Sequence, residues 1–243
     1  MSSHSGDELI ELLLSGEADP EAGGRAANEL LAQVQGGYPA QNLSRLIHSD
    51  SSRAVANGAF VVSELRTRAA EILDQVDFLL DHPLRDARFD ALDAVLTGAS
   101  GEHGALLAKA VMLIDDPDEA VRWKALKFLA NATRDQLGAA IPDLADRHVA
   151  ELVAWLAGAG SDPANLPDIE RRLRALGKQT RMFAAAAAAR VAGTDRRAIA
   201  QAALAGDPEI RSFAENVIEI FDLRQETRAR QERRRRERNA PGA

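Results

Sequence analysis

The chain has 243 residues, 46% of them hydrophobic and 4% aromatic, enough apolar material for a sizeable core in one large domain or an extended array. It contains no cysteine, which excludes disulfides, thiolate metal sites and cysteine nucleophiles. The net charge of −7 is unevenly spread: residues 224–243 carry eight arginines and three glutamates, a net of +5, which leaves −12 on the rest of the chain.

The first stretch, "MSSHSGDELIELLLSG", predicts a short helix or cap within residues 1–19. It has no basic leader and too short an apolar run for a signal peptide, and no run of about 18 apolar residues occurs anywhere. The expectation is a cytoplasmic protein with no membrane segment.

From residue 20 to 223 the dominant signal is a repeat. An Arg-x-x-Ala step recurs as Arg53/Ala56, Arg88/Ala91, Arg122/Ala125, Arg147/Ala150, Arg181/Ala184 and Arg211/Ala214, at intervals of 35, 34, 25, 34 and 30 residues. A weaker first copy sits at Arg25, with Asn28 in place of the alanine. Second amphipathic segments lie between these helices, over Leu43–His48, Ala69–Leu80, Gly104–Ile114, Gln136–Leu144, Leu166–Leu176 and Arg197–Leu204. Asp-Pro steps at 19–20, 116–117, 162–163 and 207–208 supply a capping carboxylate and a proline suited to a first helical turn. In "DDPDEAVRWKALKFLANAT" this reading makes Asp116 the N-cap, Pro117 the first helical residue and Glu119 the return arm of a capping box. No stretch alternates with period two for long enough to predict a strand. The six-alanine run Ala184–Ala189 suits close approach of neighbouring helices.

"DPDEAVRWKALKFL", "HPLRDARFDALDAVL" and "DPEIRSFAENVIEI" resemble the D-x-x-V-R-x-x-A-x-x-x-L first helix of the HEAT-repeat, armadillo-like family. The resemblance covers most of residues 20–223. It implies an all-α fold, a right-handed α-solenoid of about six to seven helical hairpins. It further implies that the recurrent arginines form a structural ladder with inter-repeat aspartates. Arg53, Arg88, Arg122, Arg147, Arg181 and Arg211 are the guanidinium side of that ladder, and Asp50, Asp81 and Asp116 the carboxylate side. A group that returns in every repeat belongs to the scaffold, since an unpaired buried guanidinium would cost several kcal/mol.

Catalytic signals are sparse. The histidines His4, His48, His82, His103 and His148 are scattered, without the spacing that puts two ligands on one helical face, and none precedes a glutamate as in di-iron enzymes resembling deoxyhypusine hydroxylase. No Gly-rich phosphate loop, nucleophile elbow or H-E-x-x-H occurs. The expectation is no metal, no cofactor and no enzymatic activity. A body of −12 opposes a HEAT-like DNA glycosylase, which must neutralise phosphates. That activity and a bilin lyase-type role are the alternatives carried by the same repeat.

Large residues at unusual helical positions point to a binding face. Trp123, with Phe89, His148 and Met182 in the equivalent slot of other repeats, reads either as packing against the adjacent repeat's helix or as a ridge of exposed anchors. Tyr38, in the loop "GGYPA", and Lys127 complete the candidate partner-binding set of Tyr38, Phe89, Trp123, Lys127 and Met182. Trp155 and Ser63–Glu64 read as core or solvated edge. The 224–243 tail predicts either a continuation of the last helix to about Arg238, supported by i, i+4 pairs Glu226–Arg230 and Glu232–Arg236, or a disordered solubilising extension. Nucleic acid is expected to bind, if anywhere, through that tail. The functional expectation is a protein-binding scaffold whose acidic surface takes a partner with a basic patch. One specific version follows from "GYP…NLSRLI…GAFVVSELR", which is loosely similar to HEAT-like immunity proteins of bacterial polymorphic toxins.

Overall fold

The computed structural model describes residues 5–16, 19–159 and 162–239, and the fold over them is all-α. In chain order the α-helices are α1 (Gly6–Ser15), α2 (Pro20–Gln35), α3 (Ser44–Ile47), α4 (Ser52–Ser63), α5 (Leu73–Leu80), α6 (Arg85–Gly98), α7 (Gly104–Met112), α8 (Glu119–Asn131), α9 (Arg134–Ala140), α10 (Arg147–Ala159), α11 (Leu166–Leu173), α12 (Lys178–Val191), α13 (Arg197–Ala203) and α14 (Pro208–Asn239). Each predicted Arg-x-x-Ala segment is a longer helix, and each intervening segment contains a shorter one except Gln136–Leu144, whose helix begins earlier, at Arg134, and ends at Ala140.

The chain forms two compact units, residues 1–157 and 158–243. In the first unit the long helices α2, α4, α6 and α8 pack in succession against one another. The short helices α3, α5 and α7 lie against them as the other arm of each hairpin, and α9 packs on α7. In the second unit α11 pairs with α12 and α13 with α14, while α12 also packs on α14.

The helix ends follow from their capping chemistry. Ser5 and Glu8 form a reciprocal capping box at α1, Asp19 caps α2 ahead of Pro20, and Thr133 and Gln136 form a second box at α9. The predicted start of α8 needs correction. Its N-cap is Asp118, whose side chain accepts from the amides of Ala120 and Val121, and Pro117 lies outside the helix. Asp116 is unavailable as a cap because its carboxylate is buried against an arginine of the preceding hairpin.

Small residues set how closely the hairpin arms approach. A Cβ on Gly98 at the end of α6 would lie 2.8 Å from the backbone nitrogen of Ala70, and one on Gly58 would lie 2.9 Å from Leu46 Cβ. In α12 the alanines 184–188 are all fully buried, as expected of a helix approached from several sides. Between α4 and the following 3-10 segment Arg66 adopts φ +55°, a left-handed conformation that L-residues occupy at a cost.

Candidate functional site

The arginine slot is built by helix starts. Arg88, Arg122 and Arg181 are each the fourth residue of their helix, and each backbone N–H donates to the N-cap carbonyl. From that position the guanidinium folds back over its own helix start. Arg88 Nη1 donates to the carbonyls of His82 and Pro83, Arg122 Nη1 to those of Asp116 and Pro117, and Arg181 Nη1 to those of Ala175 and Leu176. The acceptors are always six and five residues upstream, so one side chain satisfies two carbonyls of the turn between hairpin arms.

The next hairpin supplies the counter-charge. Arg88 Nε and Nη2 donate to Asp116 Oδ2 and Oδ1 at 2.7 and 2.9 Å, a bidentate pair in which the carboxylate is 3% exposed. Asp116 Oδ1 also accepts from the Asp118 amide, and its carbonyl accepts from Arg122. Asp116 therefore links two successive arginines. In the second unit Arg181 meets Asp207 at 3.5 Å in the same arrangement, with Asp207 Oδ1 holding the Glu209 amide.

The other expected ladder residues lie elsewhere. Arg53, Arg147 and Arg211 are exposed, Arg211 although it stands fourth in α14 with its N–H on the Asp207 carbonyl. Arg147 is the first residue of α10, not the fourth, and pairs with Glu151 one turn on. Asp81 is exposed and accepts from Lys109 of α7 at 2.6 Å, and Asp50 is likewise exposed.

Of the predicted partner-binding residues, the structure brings Phe89, Trp123 and Lys127 to one surface formed by α6 and α8. Lys124 Nζ stands 4.5 Å from the Phe89 ring centre and Lys127 Nζ 4.9 Å from that of Trp123, while Lys124 also donates to Asp93. Beside them Asp90 is pushed up to about 6 by burial, with Lys124 opposing that rise. Burial also lowers Lys127, and Lys124 lowers it further. These perturbations have a packing cause: stacking α6 on α8 takes charged side chains out of water. Tyr38 closes on α1, with its ring over Gly6 and its hydroxyl donating to Asp7 Oδ1 at 2.7 Å. Met182 does not join the ridge. It is 1% exposed, because its place in α12 faces the core of the second unit.

A different surface carries two exposed large apolar groups of the first unit, apart from Leu12 on α1. Phe78 on α5 is 43% exposed and Met112 on α7 is 37% exposed. They are 34 residues apart, the interval of Arg88 and Arg122, so they hold the same slot on adjacent short helices. The α5 and α7 surfaces are tied by Lys109, which donates to both Asp77 and Asp81. Those two hydrogen bonds raise the Lys109 ammonium above its ordinary value. The Phe78 ring lies between His48, at 4.7 Å, and His82, at 5.4 Å. Asp74 and Asp115 are exposed on the same two segments. Asp74, Asp77 and Asp81 against the Lys109 ammonium leave the α5 side of this surface negative. The repeat interval alone could have found Phe78 and Met112, had it been applied to the short helices as well as to the arginines.

Among the described residues, no three of His, Asp and Glu gather so as to hold a metal ion, and no helix is long and apolar enough to cross a membrane. No protein-family model matches the chain, and no curated protein does. Among solved structures the chain is similar to a designed armadillo repeat protein, at 18% identity and a TM-score of 0.44 over 87% of this chain and 98% of that one. It is also similar to an engineered protein, at 17% identity and a TM-score of 0.43 over 89% and 71%. Neither likeness bears on chemistry or partner.

Proposed function

We propose that this chain is a non-enzymatic repeat scaffold that grips a protein partner bearing a basic patch, through the exposed surface of α5 and α7. The observation that supports this reading is the paired exposure of Phe78 and Met112 on helices that also carry the carboxylates Asp74, Asp77 and, at the end of α5, Asp81. Apolar anchors at the centre of a contact supply most of its affinity, and surrounding charge steers association and rejects wrong partners. A negative rim selects a positive partner and opposes phosphate backbones. Phe89, Trp123 and Lys127 would form a second contact on α6 and α8, already occupied in part by their own cation–π contacts. The Arg-rich part of α14 has the sign needed for nucleic acid. Neutralisation of a basic toxin, as by an immunity protein, is the narrower form of this reading and rests on the loose sequence resemblance alone.

The test compares proteins retained from native lysate, at about 0.1 M salt, by the immobilised chain and by an Asp74→Asn/Phe78→Ala variant. A basic protein held by the first and released by the second is the expected result. Equal retention by both, or retention of nucleic acid only, would overturn the reading.

A further inference from the structure

α14 outruns its own packing. Its first turns bury Ile210, Phe213 and Ala214, yet every residue from Asp222 to Glu232 is exposed. The helix has 32 residues, about 48 Å at 1.5 Å per residue, so much of its length has no core to cover. An isolated helix of about 12–15 residues is marginal in water without a partner surface. This exposed part carries Leu223, 56% exposed, followed by Arg224, Arg228, Arg230 and Arg234. Leu223, Thr227, Arg230 and Arg234 fall at i, i+4, i+7 and i+11 and share one stripe, flanked by Arg224 and Arg228.

The chain also holds the complement of that stripe. On α5, Asp74, Phe78 and Asp81 fall at i, i+4 and i+7, an aromatic residue between two carboxylates, with Met112 on the neighbouring helix. We propose that residues 223–234 of α14 dock on the α5–α7 surface of a second copy of this chain. Leu223 meets Phe78 and Met112, and the arginines meet Asp74 and Asp81. Apolar centre faces apolar centre, and guanidinium groups face carboxylates, the pairing with the best hydrogen-bond geometry available to either. A contact of one short helix is well below the size of a stable interface, so association is weak, with a dissociation constant of about 10–100 μM and a strong dependence on salt. The inference rests on the reading of this surface given above, and it adds that a partner must displace the Arg-rich helix.

Sedimentation equilibrium of the purified full chain tests it, over about 5–300 μM at low salt and again at about 0.5 M salt. The average mass should rise with concentration at low salt and fall back to that of the monomer at high salt. Arg224→Gln/Arg228→Gln in one chain and Asp74→Arg in another should each abolish association, with unchanged helical circular dichroism because all three positions are exposed and the Glu226–Arg230 pair is kept. Mixing the two variants should restore it, since one supplies an intact helix and the other an intact surface. A wild-type chain that stays monomeric to 300 μM overturns the proposal, and so does a variant that associates alone or a mixture that does not associate. Partner capture from lysate is a separate measurement, so either result can fail without the other.

Discussion

The stacked pair α6 and α8 and the helix α10 carry the same Arg-x-x-Ala step and use it in opposite ways. In α6 the arginine stands fourth in the helix, folds over two carbonyls and reaches a buried carboxylate of the next hairpin. In α10 it stands first, with its side chain 92% exposed beside Glu151. The capping residue explains the difference. Asp146 caps α10, as its contacts to the amides of His148 and Val149 show, so the residue whose N–H returns to the cap carbonyl is Ala150. Ala150, not Arg147, is the structural counterpart of Arg88. Measured to residue 150 the uneven interval of 25 becomes 28 and the following 34 becomes 31. The lesson is that the motif alone does not place an arginine in the slot: it must also stand fourth in its helix, and even that is not sufficient, since Arg211 stands fourth in α14 with its N–H on the Asp207 carbonyl and is exposed.

The largest expected effect breaks the locked side of this comparison. Arg88→Ala leaves Asp116 buried without its cation and frees two turn carbonyls, a loss of about 3–5 kcal/mol. Urea denaturation should show a midpoint shifted strongly downward. A loss below about 1 kcal/mol would place Arg88 with the surface ion pairs.

Asp90, two residues further along α6, sharpens the contrast from within the locked region. It lies beside Lys124 and Asp93, and burial raises it to about 6 from 3.8. The folded state therefore holds this proton more tightly than the unfolded chain does. Its contribution favours folding below about pH 4, is lost as pH rises through 6, and becomes a constant penalty above. Asp90→Asn should raise stability at pH 7.5 by about 1–2 kcal/mol, after allowance for partial solvation, and have little effect at pH 3.5. Thermal unfolding of both proteins at the two pH values checks the sign. Destabilisation at pH 7.5 would mean that the carboxylate is needed as a partner for Lys124.

The helix pairs and their order were legible because they rest on apolar periodicity and capping chemistry, which are local. The cap of α8 was misread because Asp116 has two possible roles. Which one it takes depends on Arg88, 28 residues upstream, and a long-range partner leaves no local mark. Met182 looked like an anchor because its slot matches Trp123, but helix α12 is approached on more sides than α8, as its buried alanines show. Phe78 was passed over for the same reason in reverse: an isolated phenylalanine in an apolar run reads as core until the neighbouring helices are placed.

At Arg66 a smaller gain is expected. Its left-handed backbone lies in the join between α4 and the segment leading to α5, where its carbonyl accepts from Thr97 on α6. Glycine adopts that conformation without the Cβ clash, so Arg66→Gly should stabilise the first unit by about 0.5–1 kcal/mol. A loss instead would assign the arginine side chain a contact worth more than the strain it carries.

The smallest effects lie on the α10 side, and they bear most directly on the role of the helix cap. Arg147→Ala removes only an exposed i, i+4 pair and should change stability by less than about 0.5 kcal/mol. Moving the guanidinium three residues on, as Arg147→Ala/Ala150→Arg, places it where Arg88, Arg122 and Arg181 stand. There the carbonyls of Leu144 and Ala145 lie at the same six- and five-residue offsets. With two acceptors in reach and Ala150 only half-buried, the double variant should recover stability over Arg147→Ala by about 0.5–1 kcal/mol. A double variant less stable than Arg147→Ala would mean that the fourth position alone does not create the slot, and that the slot also requires a carboxylate from the following hairpin.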